Sequence, residues 1–148
     1  MTYEHLLTLI RRQIAATPDG VAMRHKAGAE WRGLTYREMG RHVDAVASWL
    51  IDAGVEPGAR VVLYGHNSPW WSIADLAIMA AGAISVPIYA TNTAHQAEHI
   101  IRDAGATAAF VGGAEQYQAG INPAREAPEL ALGRLAGLFG RVDESGSD

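Results

Sequence analysis

The sequence predicts an α/β fold: a parallel sheet built from βαβ units, flanked by helices, with a small antiparallel hairpin ahead of it. Three observations carry that expectation. Short apolar runs at residues 61–64, 84–89 and 107–111 alternate with segments of helical period. Each intervening helical segment opens on a capping residue and closes on a glycine. The connections between them are a few residues long, as parallel strands joined by crossover helices require. A length of 148 residues suits one domain, and 49% hydrophobic against 19% charged residues suits a packed core.

The elements follow in order. Residues 3–15 place Leu6, Leu7, Ile10 and Ile14 at helical spacing, and Thr17-Pro18-Asp19-Gly20 ends that helix. Residues 21–25 and 30–34 read as two short strands around a turn at 26–29. Thr35 and Glu38 then form a capping box, with Leu34 and Met39 as its hydrophobic staple. Val43, Val46, Ala47, Leu50 and Ile51 continue one apolar face, and Gly54 stands where a C-terminal cap belongs. Pro57-Gly58 turns the chain into 61–64, an apolar run suited to a strand buried on both faces.

The alternation then repeats. Ser68 caps a helix with Pro69 in its first turn, and that helix runs to Gly82. A strand occupies 84–89. Thr93 and Gln96 make a second capping box, and Ile100, Ile101 and Ala104 lead to Gly105. Residues 107–111 form the next strand, closed by Gly112-Gly113. After Tyr117, Pro123 and Pro128 break the pattern; one amphipathic helix is expected over 129–139 and a disordered end over 143–148. The organisation expected is therefore a main unit at 1–118, a helical extension at 119–142 and a tail at 143–148.

Composition excludes several functions. With 12 basic and 16 acidic residues the net charge is −4, which argues against a nucleic-acid partner needing clustered cations. Cysteine is absent, so disulfides, thiolate metal sites and a cysteine nucleophile are excluded together. Lys26 is the one lysine. The first residues lack the basic start and apolar block of a signal peptide. The longest uncharged apolar stretch, 76–90, is shorter than the roughly 20 residues a membrane span needs. A cytoplasmic location without a transmembrane segment is expected.

Few residues suggest chemistry by themselves. His95-Gln96-Ala97-Glu98-His99 fits an H-x-x-E-H zinc pattern, in which the two histidines share a helix face and Glu98 is a general base. A catalytic zinc needs a third ligand, and no downstream acidic helix supplies one; the plain alternative is a solvated helix face, so no metal is expected. Neither G-x-x-x-x-G-K-[ST] nor G-x-G-x-x-G occurs. Gly112-Gly113 reads as a strand-to-helix turn. The loops at 65–68 and 90–93 follow predicted parallel strands, the edge at which open α/β sheets bind ligands. His66, Asn67 and Asn92 are accordingly candidate cleft residues, although Asn67 and Asn92 also suit turns and Ser68 and Thr93 suit caps. Adjacent Trp70 and Trp71 diverge on a helix, so one is expected in the core and the other partly exposed.

Five motifs in order give a resemblance. Leu34-Thr35-Tyr36-Arg37-Glu38-Met39 is similar to L-[TS]-Y-x-E-L, and Gly54-Val55-Glu56-Pro57-Gly58-Ala59-Arg60-Val61 to G-V-x-P-G-D-R-V. Asn67-Ser68-Pro69-Trp70-Trp71 resembles an N-x-P-E-W loop, with Trp70 in place of the acid. Residues 79–89 look like L-x-A-G-x-x-x-V-P-[IL], and 88–96 resemble a stretch of long-chain ligases. Over 17–117 the chain thus resembles the adenylate-forming, AMP-binding superfamily, specifically bacterial long-chain acyl-CoA synthetases. The resemblance implies the N-terminal part of that fold and a two-step reaction: a fatty acid attacks ATP to give acyl-adenylate and pyrophosphate, and the thiol of coenzyme A displaces AMP. It implies ATP, Mg²⁺ and coenzyme A as cofactors of the whole enzyme. The family's P-K-G phosphate loop, ribose-binding acid and catalytic lysine have no counterpart in the matched segment. No catalytic residue is therefore expected here, and no tight cofactor binding by this chain alone. Tyr89, Ala90 and Thr91 are carried over to the coenzyme A side. The rival expectation is a non-catalytic interaction module that self-associates or pairs with a complementary chain.

Overall fold

The computed structural model describes residues 4–112 and 131–134. Helix α1 (Leu6–Ala16) opens on His5, whose Nδ1 accepts from the Leu7 amide. None of its residues is fully buried; Leu7, Ile10 and Ile14 pack against the core from outside. The turn after it docks on the next helix, because Gly20 and Pro18 carbonyls accept from the Tyr36 and Arg37 amides at 2.9 and 2.8 Å. Strands β1 (Val21–Ala27) and β2 (Glu30–Thr35) form the antiparallel hairpin, with a register shift between Val21 and Met23.

Helix α2 (Tyr36–Asp52) starts on the expected capping box. Thr35 Oγ1 accepts from the Glu38 amide at 3.2 Å, and Glu38 Oε2 accepts from the Thr35 amide at 2.8 Å. Met39, Val43, Val46, Ala47 and Leu50 are its buried stripe. Ile51, expected on that stripe, is 56% exposed; it stands about 100° around the helix from Leu50, outside the buried stripe.

The remaining elements build the sheet: β3 (Arg60–Gly65), α3 (Pro69–Ala80), β4 (Ile84–Tyr89), α4 (Ala94–Ala104), β5 (Ala108–Val111) and β6 (Ala131–Arg134). The order across the sheet is β4-β3-β5-β6, and every pairing is parallel. Both faces are covered, as an all-parallel sheet demands. Val61 and Leu63 of β3, with Ala108 and Phe110 of β5, pack on the side of α2 and α3. Val62 and Tyr64, with Ala109 and Val111, pack on the other side against Ala97 and Ile101 of α4. The two-residue period of the strands therefore separates two cores rather than a core from solvent.

One expectation fails. The sequence predicts a helix over 129–139, yet 131–134 form strand β6, paired in parallel with β5. An isolated helix of that length is marginal in water, whereas the free edge of β5 offers a row of unpaired backbone donors and acceptors. The rest of that predicted helix, the boundary at 118/119 and the expected disorder at 143–148 lie outside the described residues. Among the described residues no helix is long and apolar enough to cross a membrane.

Candidate functional site

The strand order locates the ligand edge. From β3 the chain moves to β4 on one side through α3, then returns past β3 to β5 on the other side through α4. Connections leave β3 and β5 in opposite directions, and the carboxyl ends of that pair form the switch-point crevice of a doubly wound sheet. Gly65 and Gly112 meet there. The Gly112 amide donates to the Tyr64 carbonyl at 2.8 Å, and a Cβ on Gly112 would lie 2.9 Å from the Gly65 Cα. The sequence gives Gly112 only the task of turning the chain; its more specific task is to let two backbones touch.

The loop after β4 is held at both ends. At its far end Thr93 and Gln96 exchange backbone and side-chain hydrogen bonds in the second capping box. Just before that, the buried Tyr64 hydroxyl donates to the Asn92 carbonyl at 3.1 Å, and the Asn92 amide donates to the Tyr89 carbonyl at 2.9 Å. Tyr64 is only 1% exposed and sits in the central strand, so a rigid element fixes the loop. Between these anchors Tyr89 is 82% exposed, Thr91 is exposed and Ala90 is half-buried.

The candidate cleft residues separate into two places. Asn92 belongs to the pinned loop. Asn67 instead lines a cavity of about 870 Å³, between the start of α3 and strand β1, whose lining runs over 23–26 and 67–72. His66 is exposed between Gly65 and Asn67. Ser68 caps α3 by accepting from the Trp71 amide at 3.1 Å. Trp70 and Trp71 do not divide into one core and one surface residue, since both are half-buried. The Trp70 ring meets His42 edge-on with centroids 5.4 Å apart, and His25 at 6.4 Å. The facing stretch of β1 is absent from the sequence-predicted site; its opposition to α3, which brings His25 to the Trp70 ring, is set by tertiary packing.

The zinc pattern does not assemble. His95 and His99 are exposed, and Glu98 accepts from Arg102 at 3.0 Å, one helical turn on. No group of three His, Cys, Asp or Glu side chains that could hold a metal occurs among the described residues. The lowered carboxyl pKa values lie away from the sheet edge. Hydrogen bonds from Arg37 hold Asp19 below the usual carboxylate range, and the Thr35 amide and hydroxyl do the same for Glu38. Both groups fasten the hairpin to α2.

Known proteins share this architecture. Over 93 residues the chain is 37% identical to a long-chain-fatty-acid–CoA ligase of Mycobacterium bovis, covering 63% of this chain and 16% of that protein. Over 104 residues it is 39% identical to a phenyloxazoline synthase of a Mycobacterium species, covering 70% of this chain and 9% of that one. The N-terminal subdomain of NpsA from Klebsiella oxytoca is similar in structure, with a TM-score of 0.74 at 20% identity, covering 99% of this chain and 33% of that one. This likeness concerns the fold. The chain thus spans a small part of the length of its curated relatives. The AMP-binding enzyme family matches residues 10–139, beyond the stretch that the motifs mark, and the chain belongs to that family.

Proposed function

We propose that this chain is the N-terminal segment of an ATP-dependent long-chain fatty-acid–CoA ligase, supplying one wall of its cleft and none of its bond chemistry. The observation that carries this is the loop after β4. The stretch resembling long-chain ligases, 88–96, contains that loop, which Tyr64 and the Thr93–Gln96 cap hold at the carboxyl edge of the sheet. Tyr89, Ala90 and Thr91 would face the coenzyme A side, with His66, Asn67 and Asn92 along the cleft edge.

In the reaction so assigned, a fatty-acid carboxylate oxygen bonds to the α-phosphorus of ATP and pyrophosphate leaves. The thiol sulfur of coenzyme A then bonds to the acyl carbon and AMP leaves. The first step concentrates negative charge and needs cations and backbone donors around the triphosphate. This sequence contains no P-K-G loop, and its one lysine, Lys26, stands on β1. Mg²⁺ would neutralise phosphate charge in such an enzyme; the described residues hold no cluster suited to it, and we assign it to no residue here. By itself the chain is expected to form no acyl-adenylate, and pyrophosphate release from ATP and palmitate by the purified chain would contradict that.

A chimera tests the ligase assignment. Residues 1–112 replace the matching segment of the M. bovis ligase, and palmitoyl-adenylate and palmitoyl-CoA are measured separately. Both products are expected. A chimera as thermostable as its parent that stops at the adenylate, or makes neither product, overturns the assignment. One observation favours a second reading, a module that associates through the sheet edge: β4 has no neighbour on its outer side among the described residues, and Ile84 and Tyr89 on it are exposed. Light scattering that finds only monomer, with no partner co-purifying, would remove it.

A further inference from the structure

We propose that Tyr64 is a positioning residue for the thiol step, its buried hydroxyl setting the loop after β4 for coenzyme A. The inference rests on the ligase assignment above and deepens it. Tyr64 lies in the core between the sheet and α4, with Val62, Ile88, Ala97 and Ile101, and its hydroxyl is the one polar side-chain group in that cluster. A phenylalanine would fill the same space without burying a hydroxyl, and a buried hydroxyl costs free energy that a hydrogen bond must offset. The bond it makes leads out of the core: the hydroxyl donates to the Asn92 carbonyl at 3.1 Å, 28 residues on in the chain.

Two further contacts define what that bond holds. The Asn92 amide donates to the Tyr89 carbonyl at 2.9 Å, so fixing Asn92 fixes the turn that carries Tyr89, Ala90 and Thr91. The backbone carbonyl of Tyr64 accepts from the Gly112 amide at 2.8 Å. One residue therefore joins both sides of the carboxyl edge, the end of β5 through its backbone and the loop after β4 through its side chain. Tyr64 is only 1% exposed, so it touches no substrate and acts only through the groups it holds. The loop is assigned to coenzyme A, not to ATP or the fatty acid. Losing the hydroxyl should therefore weaken the grip on the thiol substrate and spare acid activation.

The test compares the chimera described above with its Tyr64→Phe variant. Palmitoyl-adenylate and palmitoyl-CoA formation are measured separately, with KM for ATP, palmitate and coenzyme A. Tyr64→Phe is expected to raise the KM for coenzyme A about fivefold at unchanged kcat, the factor that one hydrogen bond of ordinary net strength is worth. Adenylate formation and the other two KM values should stay within about twofold. Phe110→Leu, a buried substitution on the opposite face of the sheet, controls for lost stability: it should lower the melting temperature but leave the KM for coenzyme A unchanged. A second measurement needs no activity, since amide exchange at residues 90–92 of the purified chain should quicken in Tyr64→Phe and not in Phe110→Leu. A Tyr64→Phe variant with the parent's KM for coenzyme A, a loss shared equally by both steps, an equal rise in Phe110→Leu, or unaltered exchange at 90–92 would overturn the proposal. Each of these outcomes leaves the ligase assignment standing. A chimera with Tyr64 intact that makes no palmitoyl-CoA overturns that assignment, and this inference with it.

Discussion

Replacing Gly112 by alanine probes the join at the mouth of the crevice. The added Cβ would lie 2.9 Å from the Gly65 Cα, 3.5 Å from the His66 amide nitrogen and 3.7 Å from the Tyr64 carbonyl oxygen. All three are backbone atoms, so no side-chain rotation relieves the clash. Relief requires β3 and β5 to separate at their ends, which lengthens the 2.8 Å bond from the Gly112 amide to Tyr64. Overpacking of this kind costs about 1–3 kcal/mol, and weakening the hydrogen bond adds up to about 1 kcal/mol. A loss of roughly 2–3 kcal/mol is expected from these two effects together. Urea unfolding should show it as a lower midpoint at unchanged slope. Gly54→Ala is the informative control: nothing lies within 4 Å of its added Cβ, but its φ is +87°, so its smaller penalty of about 1 kcal/mol comes from backbone strain. Gly112 has no positive φ, so its penalty is purely one of space. A Gly112→Ala midpoint indistinguishable from wild type would refute the close approach of the two strands.

Two other substitutions test the anchoring of the site and hairpin. Tyr64→Phe removes the hydroxyl that donates to Asn92; stability should fall by about 1 kcal/mol, and amide hydrogen exchange at residues 90–92 should quicken while α2 is unaffected. Thr35→Ala removes the α2 cap and should cost about 1 kcal/mol at neutral pH. Glu38 has its carboxyl pKa lowered by Thr35, so the stability it contributes is present above its unfolded-state value and is lost as pH falls through the lowered folded value. The Thr35 amide bond to Glu38 survives in Thr35→Ala and the hydroxyl bond does not, so melts from neutral pH down through the carboxylate range should show a slightly shallower acid-side decline than wild type; parallel curves would remove the Thr35 hydroxyl as a cause.

What can be read from sequence is what the chain decides locally. Both capping boxes and the Ser68 cap involve groups three residues apart, and all three form as expected. The apolar runs at 61–64 and 107–111 reveal strands buried on both faces because no polar residue alternates within 61–63 or 108–111. The misses are all non-local. Strand β6 depends on an edge about 20 residues away in sequence, and its four residues carry no strand signal of their own. The side of the cavity formed by β1 depends on how the hairpin lies against α3. Gly112 looks like any strand-closing glycine until Gly65 is placed beside it. Trp70 and Trp71 share their burial because the cavity opens beside both.

The central position of β3 also sets an order of assembly. Val61 pairs with Ser85 across 24 residues of chain (85 − 61) and with Ala108 across 47 (108 − 61). Doubling the loop raises its closure cost by only about 0.6 kcal/mol, but β5 has just four residues with which to recover it, against six for β4. The β3–α3–β4 unit should therefore form first, carrying Asn67 and the loop from Tyr89 already in place. Docking of β5 then brings Gly112 against Gly65. The crevice closes only after β3 and β4 have paired and, by the same token, should open before they part.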